Sequence, residues 1–137
     1  GFCLGGYLAG RSPGFELLPG DADQYVTLPN AEVHDTKSAV LEIDWRGHIE
    51  EMYFQDGPYF SLDHRYRDYY DNEADILARY RNGSIAALKT DNGKGRVGVI
   101  GPHPEADESW YKDDGLIPPH HFAPNLGHHL INSVMTR

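Results

Sequence analysis

Apolar and polar residues alternate along residues 38–45, and this period of two is typical of a half-buried β-strand. Arg46 and Gly47 carry a turn signal, and residues 49–54 run back after it. Two strand-like segments separated by so short a turn predict a β-hairpin.

A second hairpin is predicted around Asn82 and Gly83, a residue pair that favours a tight turn between two strands. The strands on either side are residues 74–80 and 84–89. A further strand, residues 96–100, follows a glycine-rich turn and leads into a segment that contains proline and histidine. These segments predict three consecutive strands.

The remaining segments are shorter or less regular. Two more short strands are predicted at residues 15–18 and 24–28, and residues 59–62 form a further short apolar run. Residues 64–72 are polar and aromatic without clear periodicity and predict a surface loop. Two helical segments are expected, one of one or two turns at 107–113 and one amphipathic helix at 125–135.

The chain has 137 residues, a length typical of one domain. Its 12 basic and 21 acidic side chains give a formal charge of −9, which argues against binding to nucleic acid or to an anionic membrane surface. No apolar run approaches the roughly 20 residues that span a bilayer. We therefore expect a small-molecule substrate, without nucleic acid or membrane as a partner.

Cys3 is the single cysteine of the chain, and it lies among glycines before a segment that can start a helix. On a sharp strand-to-helix turn, the helix N-terminus favours the reactive thiolate. One cysteine excludes an internal disulfide, and a catalytic thiol favours a reducing compartment such as the cytoplasm. Taken alone, Cys3 is more simply interpreted as a buried cysteine without chemistry.

A second reactive group follows strand 96–100, in the segment 101–105. In extended backbone His103 and Glu105 point to the same face, so the carboxylate can accept the ring N–H and stabilise the imidazolium. With Cys3 as nucleophile, the three side chains predict a Cys-His-Glu arrangement. The backbone N–H of Leu4 is then the expected donor to an oxyanion.

Several stretches of the chain resemble those of a known superfamily. Residues 1–5 follow a Gly-x-Cys-x-Gly pattern, and residues 101–105 contain His-x-Glu. Together with residues 78–87 and 93–97, they look like the C-terminal part of a class I glutamine amidotransferase-like domain. The similarity is greatest to the domain of this type at the N-terminus of biotin-protein ligases.

The resemblance implies a flavodoxin-like α/β sandwich. In this chain the N-terminal βα units of that fold are expected to be missing, so residues 1–137 would form a single, partial domain that begins at the nucleophile elbow. The expected partners are the upstream half of the same domain or another copy of the chain, because isolated sheet edges favour association.

The resemblance also assigns roles to individual residues. Cys3 matches the nucleophile, His103 the base and Glu105 the orienting acid of the catalytic triad. Gly1 and Gly5 match the two glycines of the elbow. The implied function is that of a cysteine-dependent amidotransferase-like or hydrolase domain, acting on an unidentified amide or related carbonyl compound.

One departure from the superfamily concerns the substrate. Gly6 and Tyr7 stand where glutamine-hydrolysing members carry His-Gln, whose side chains help to hold glutamine. Glutamine is therefore in doubt as the substrate. The Gly-Tyr pair, together with Tyr53, Gly57 and Pro58, is similar to the sequence of the biotin-protein ligase domain. We therefore expect these three residues and Tyr7 to contact the substrate.

Two other functions fit the same residues. The chain would be a non-catalytic regulatory or small-molecule-binding module if the fold is kept without turnover, or a redox sensor if Cys3 forms a reversible sulfenic acid. No cofactor is expected. Nor is a metal expected, since the C-terminal histidines lack the spacing of zinc ligands; they are His120, His121, His128 and His129.

Overall fold

The computed structural model describes residues 1–63, 74–122 and 124–135. The strands are β1 Gly20–Gln24, β2 Ala39–Trp45, β3 His48–Phe54, β4 Pro58–Leu62, β5 Ala74–Tyr80, β6 Ile85–Asn92 and β7 Gly95–Ile100. The helices are α1 Leu4–Leu8, α2 Glu108–Asp113 and α3 Pro124–Met135. A 3-10 turn, Tyr25–Thr27, follows β1.

The seven strands form one sheet in the order β1-β4-β6-β5-β2-β3, with β7 also paired to β6. Every pairing between these strands is antiparallel. The flavodoxin-like α/β sandwich implied by the resemblance is therefore wrong for this structure. The physical reason is the tight turns between β2 and β3, β5 and β6, and β6 and β7, since parallel neighbours need a crossover of about a dozen residues or more.

The two predicted hairpins are confirmed. β2 pairs with β3 and β5 pairs with β6, each across a short turn. The strand predicted at 96–100 lies within β7, and the run 59–62 lies within β4. The helical predictions at 107–113 and 125–135 correspond to α2 and α3.

Two strand predictions near the N-terminus are wrong. Residues 15–18 are irregular, because their backbone bonds to the end of α1 instead of to a strand: Phe15 N–H donates to the Leu8 carbonyl at 2.7 Å, and Leu17 N–H donates to Ala9 at 2.9 Å. The segment 24–28 is strand only at Gln24, where β1 ends and the 3-10 turn begins. The loop predicted at 64–72 lies outside the described residues.

The main hydrophobic cluster combines buried residues of β2, β3, β5, β6, β7 and α3, with Ile43, Phe54 and Leu130 among them. Within the sheet, α3 packs mainly on β7 and β6. Within this cluster Tyr25 stacks on Tyr80 at 3.9 Å between ring centroids. A second cluster lies around β4 and the start of β6. A third, smaller cluster joins α2 to β3. It places α2 beside the end of β3, where the candidate site lies.

The helices of the described part are short. α3 is the longest, with 12 residues, while α1 has five and α2 six. None of these helices is long and apolar enough to cross a membrane.

Candidate active site

Cys3 occupies a sharp turn between an extended segment and α1. Phe2 forms a parallel bridge with Ile100 at the end of β7, and the Cys3 N–H donates to the Ile100 carbonyl at 2.9 Å. At Cys3 the backbone turns to φ 45° and ψ −102°, a conformation that residues with a side chain rarely adopt. The N–H groups of Gly6 and Tyr7 both donate to the Cys3 carbonyl and hold the turn.

The Cys3 thiol is half-buried and faces the segment that follows β3. Its Sγ lies 3.6 Å from the carbonyl oxygen of Gln55. The thiol makes no capping bond to α1. The N–H of Leu4, directly after Cys3, donates to no acceptor within the described residues. The Leu4 N–H is therefore available to a bound molecule beside the thiol.

His103 reaches the same place from β7. Its backbone N–H donates to the Tyr53 carbonyl at 2.8 Å, so that the two residues form an antiparallel bridge at the end of β3. Pro102 and Pro104, on either side, are buried. Since the Cys3 backbone is bonded to Ile100 and His103 follows three residues later, β7 brings together two residues that are one hundred positions apart in sequence.

Glu105 holds one side of the His103 ring. Nδ1 of His103 lies 2.6 Å from Oε1 of Glu105, and the two side chains are 17% and 36% exposed. Because Nδ1 is taken by the carboxylate, Nε2 is the ring nitrogen left for the thiol of Cys3.

The charge of His103 follows from these neighbours. Burial lowers the pKa of His103, but hydrogen bonds with the side chains of Cys3 and Glu105, together with the negative charges of these groups, outweigh burial and raise the pKa to about 9. At pH 7 the imidazole is therefore protonated.

We expect stability to decrease as the pH rises through 9. An unfolded histidine titrates near 6.5, so the interactions of the His103 imidazolium contribute fully below pH 6.5 and are lost as the pH rises through about 9. The free energy of unfolding should fall by about 1–2 kcal/mol between pH 6.5 and 10, after allowance for solvent screening. Urea unfolding at several pH values measures this change. In the His103→Asn variant the free energy of unfolding should fall less over this pH range. Equal decreases in the wild-type protein and the variant would contradict the expectation.

Two tyrosines that the sequence assigns to the substrate lie around the site. The hydroxyl of Tyr7 donates to the Asp56 carbonyl at 2.8 Å, and burial raises the pKa of this tyrosine. The hydroxyl of Tyr53 donates to the Asp114 carboxylate, and it lies 3.4 Å from Oε1 of Gln55. Both hydroxyl groups thus have protein partners that fix their side chains.

Gly57 and Pro58 are buried behind the site. A Cβ on Gly57 would lie 2.3 Å from the carbonyl oxygen of Gly101, so a glycine is required by close backbone approach. The carbonyl of Pro58 accepts a 2.6 Å bond from the buried hydroxyl of Tyr80. These residues support the backbone that leads to His103 and are not open to solvent.

The two glycines of the elbow differ in their surroundings. A Cβ on Gly1 would lie 2.6 Å from the backbone of Gly5, which leaves no room for a side chain. A Cβ on Gly5 would meet nothing within 4 Å. The face of α1 at Gly5 is therefore open beside Cys3.

Sequence reasoning missed three residues at this site. Gln55 accepts from the Cys3 thiol, Asp114 accepts from Tyr53, and the ring of Trp110 lies beside His103 at 5.2 Å between centroids. No spacing or motif links them to Cys3, since Gln55 follows β3 while Trp110 and Asp114 lie in α2 and directly after it. The aromatic content of α2 was the one available signal, and it is equally typical of packing.

The C-terminal histidines are spread over a loop and α3. His129 makes an edge contact with the ring of Trp45 at 5.9 Å. Within residues 1–63, 74–122 and 124–135, no three His, Cys, Asp or Glu side chains are grouped so that they could hold a metal ion.

No protein-family model matches the chain, and no curated protein matches it. The functional interpretation therefore depends on the geometry around Cys3 and on the chemistry of the residues there.

Proposed function

We propose that the chain carries a thiol-dependent acyl-transfer site that acts on an amide or a related carbonyl compound. Cys3 is the nucleophile, His103 moves the proton and Glu105 orients His103. The observation that carries the proposal is the strained backbone of Cys3, held next to a histidine whose other ring nitrogen is 2.6 Å from a carboxylate.

The backbone strain is difficult to explain by packing alone. A residue held at such a φ and ψ costs of the order of 1–3 kcal/mol and persists only where the surroundings enforce it. At Cys3 the enforcing contacts are the bonds to Ile100 and to the first turn of α1. They project the thiol out of the turn toward Gln55 and His103, which is the arrangement that an attacking nucleophile needs.

The residues support a two-step reaction. The Cys3 thiolate attacks the carbonyl carbon, and the developing oxyanion accepts a bond from the Leu4 N–H. His103 then gives the proton on Nε2 to the leaving nitrogen or oxygen, the bond to the leaving group breaks, and a thioester on Cys3 remains. Water or another acceptor, deprotonated by His103, attacks the thioester carbonyl; the C–S bond breaks, the acyl product leaves, and the Cys3 thiolate remains beside protonated His103. Glu105 holds the ring through Nδ1 in both steps.

A simple activated ester tests the proposal without knowledge of the natural substrate. Incubation with p-nitrophenyl acetate at pH 7 should acetylate Cys3 at least about ten times faster in the folded protein than in the same chain unfolded in urea. The rate is followed by release of p-nitrophenolate, and peptide mass spectrometry identifies the acetylated residue.

The Cys3→Ala variant provides the background from lysine, tyrosine and the chain terminus. Equal acetylation rates of Cys3 in the folded and unfolded chains would contradict the proposal, because an accessible thiol without a base reacts at its ordinary rate. Faster acetylation at another residue would also contradict it, since the nucleophile would then be misassigned.

A further inference from the structure

The ring of His103 lies between two aromatic side chains. Its centroid is 5.2 Å from that of Trp110, with 54° between the ring planes, and 5.9 Å from that of Tyr53, with 67° between the planes. The two aromatic rings also contact each other edge to face, at 5.4 Å and 87°. Trp110, Tyr53 and His103 thus form a closed triangle of rings, which we call the aromatic triangle.

We propose that Trp110 is a positioning residue for His103: its ring holds the imidazole toward Cys3 and stabilises the imidazolium by a cation–π interaction. This inference depends on the proposed function, since it gives His103 the charged state that the acyl-transfer step uses. A cation within about 6 Å of an indole ring centroid is attracted by the ring, and indole is the strongest of the aromatic side chains in this respect.

α2 is built so that Trp110 can take this position. Asp107 caps the helix by accepting from the Ser109 N–H at 2.9 Å. Tyr111, the next residue after Trp110, is buried and packs against Tyr53 at 5.6 Å. Tyr111 therefore anchors the helix, and Trp110 is free to reach the imidazole while 37% of its surface stays exposed. The position of the Trp110 ring beside His103 is therefore not explained by burial in the hydrophobic core.

The effects of the other groups that face His103 can be separated from the effect of Trp110. The titratable ones are Cys3, Glu105 and Tyr53. Tyr53 is bonded to Asp114 through its hydroxyl, so its ring position does not depend on Trp110 alone. Trp110 carries no charge, so its replacement removes no ion pair; it changes the ring contacts with His103 and Tyr53, the burial of the imidazole and the local polarity.

The test is a titration of His103 by NMR in protein with ¹³C-labelled histidine, with the His103→Asn variant used to assign the signal. In Trp110→Leu the titration midpoint of His103 should fall by about half to one pH unit from its value near 9. In Trp110→Phe, which keeps an aromatic ring, the midpoint should fall by less than half of that amount. Phe122→Leu is the matched control, because Phe122 contacts Tyr111 and not His103, and its midpoint should stay at the wild-type value.

The same titration in a Cys3→Ser background separates this inference from the proposed function. If Cys3→Ser lowers the midpoint but Trp110→Leu does not, the thiol–imidazole pair stands and the role of Trp110 is overturned. If Trp110→Leu lowers the midpoint in both backgrounds, the role of Trp110 is supported even where Cys3 acetylation is no faster than in the unfolded chain. If the titration midpoint of His103 falls by the same amount in Phe122→Leu as in Trp110→Leu, the inference is also overturned, because both changes would then act by loosening α2.

Discussion

Replacement of His103 by asparagine is expected to slow acetylation of Cys3 by p-nitrophenyl acetate about 100-fold at pH 7. Asparagine is similar in size and keeps a polar contact with Glu105, so the segment that carries it should remain folded. It carries no proton to transfer and no charge to pair with a thiolate. Stopped-flow or steady-state measurement of p-nitrophenolate release gives the rate, and circular dichroism verifies that the variant is folded.

A matched control for this variant is His128→Asn. His128 is exposed on α3 and should leave the rate unchanged. Glu105→Gln should give a smaller loss than His103→Asn, because the ring of His103 would keep a hydrogen-bond partner but lose the carboxylate charge. If His103→Asn and His128→Asn react at the same rate, His103 takes no part in the chemistry and the proposed function fails at that residue.

The sequence predicted local structure well and the overall architecture badly. Both hairpins were visible because a period-two pattern and turn residues such as Arg46-Gly47 and Asn82-Gly83 are local signals. The flavodoxin-like fold was inferred from resemblance over short stretches. Those stretches include the hairpin strands themselves, and their tight turns already oppose a parallel sheet. Here local turn geometry was the stronger physical evidence.

The site was partly visible for a different reason. His103 and Glu105 are two residues apart, and the sequence predicts their contact from an extended backbone. The contact is present, but Pro104 and Glu105 lie in a turn in which the Ala106 N–H donates to the His103 carbonyl at 3.3 Å. The contact with Cys3 depends on the parallel bridge between Phe2 and Ile100, which involves two single residues and has no sequence pattern. Trp110 was not predicted for the same reason: only the packing of α2 on β3 brings it to the imidazole.

The largest effect on stability is expected from Gly101→Ala. A Cβ at this position would lie 2.1 Å from the carbonyl oxygen of Pro58 and 2.1 Å from the hydroxyl of Tyr80. The Pro58 oxygen belongs to the backbone of β4, and the Tyr80 ring is fully buried in a stack with Tyr25, so neither can move away cheaply. The added methyl also disrupts the 2.6 Å hydrogen bond between these two groups. We expect a loss of about 3–4 kcal/mol in the free energy of unfolding.

Gly5→Ala is the matched control for Gly101→Ala, since it adds the same methyl group where nothing lies within 4 Å. Its backbone is helical, so the change should be neutral or should stabilise the chain by up to about 1 kcal/mol. Urea unfolding of both variants measures the difference. Similar stabilities would mean that Gly101 does not pack as tightly as the contact with Pro58 requires. If only Gly101→Ala lowers the free energy of unfolding strongly, the backbone at Gly101 is held rigidly between the end of β7 and the start of β4. Since His103 follows two residues later, this rigid contact then supports its position.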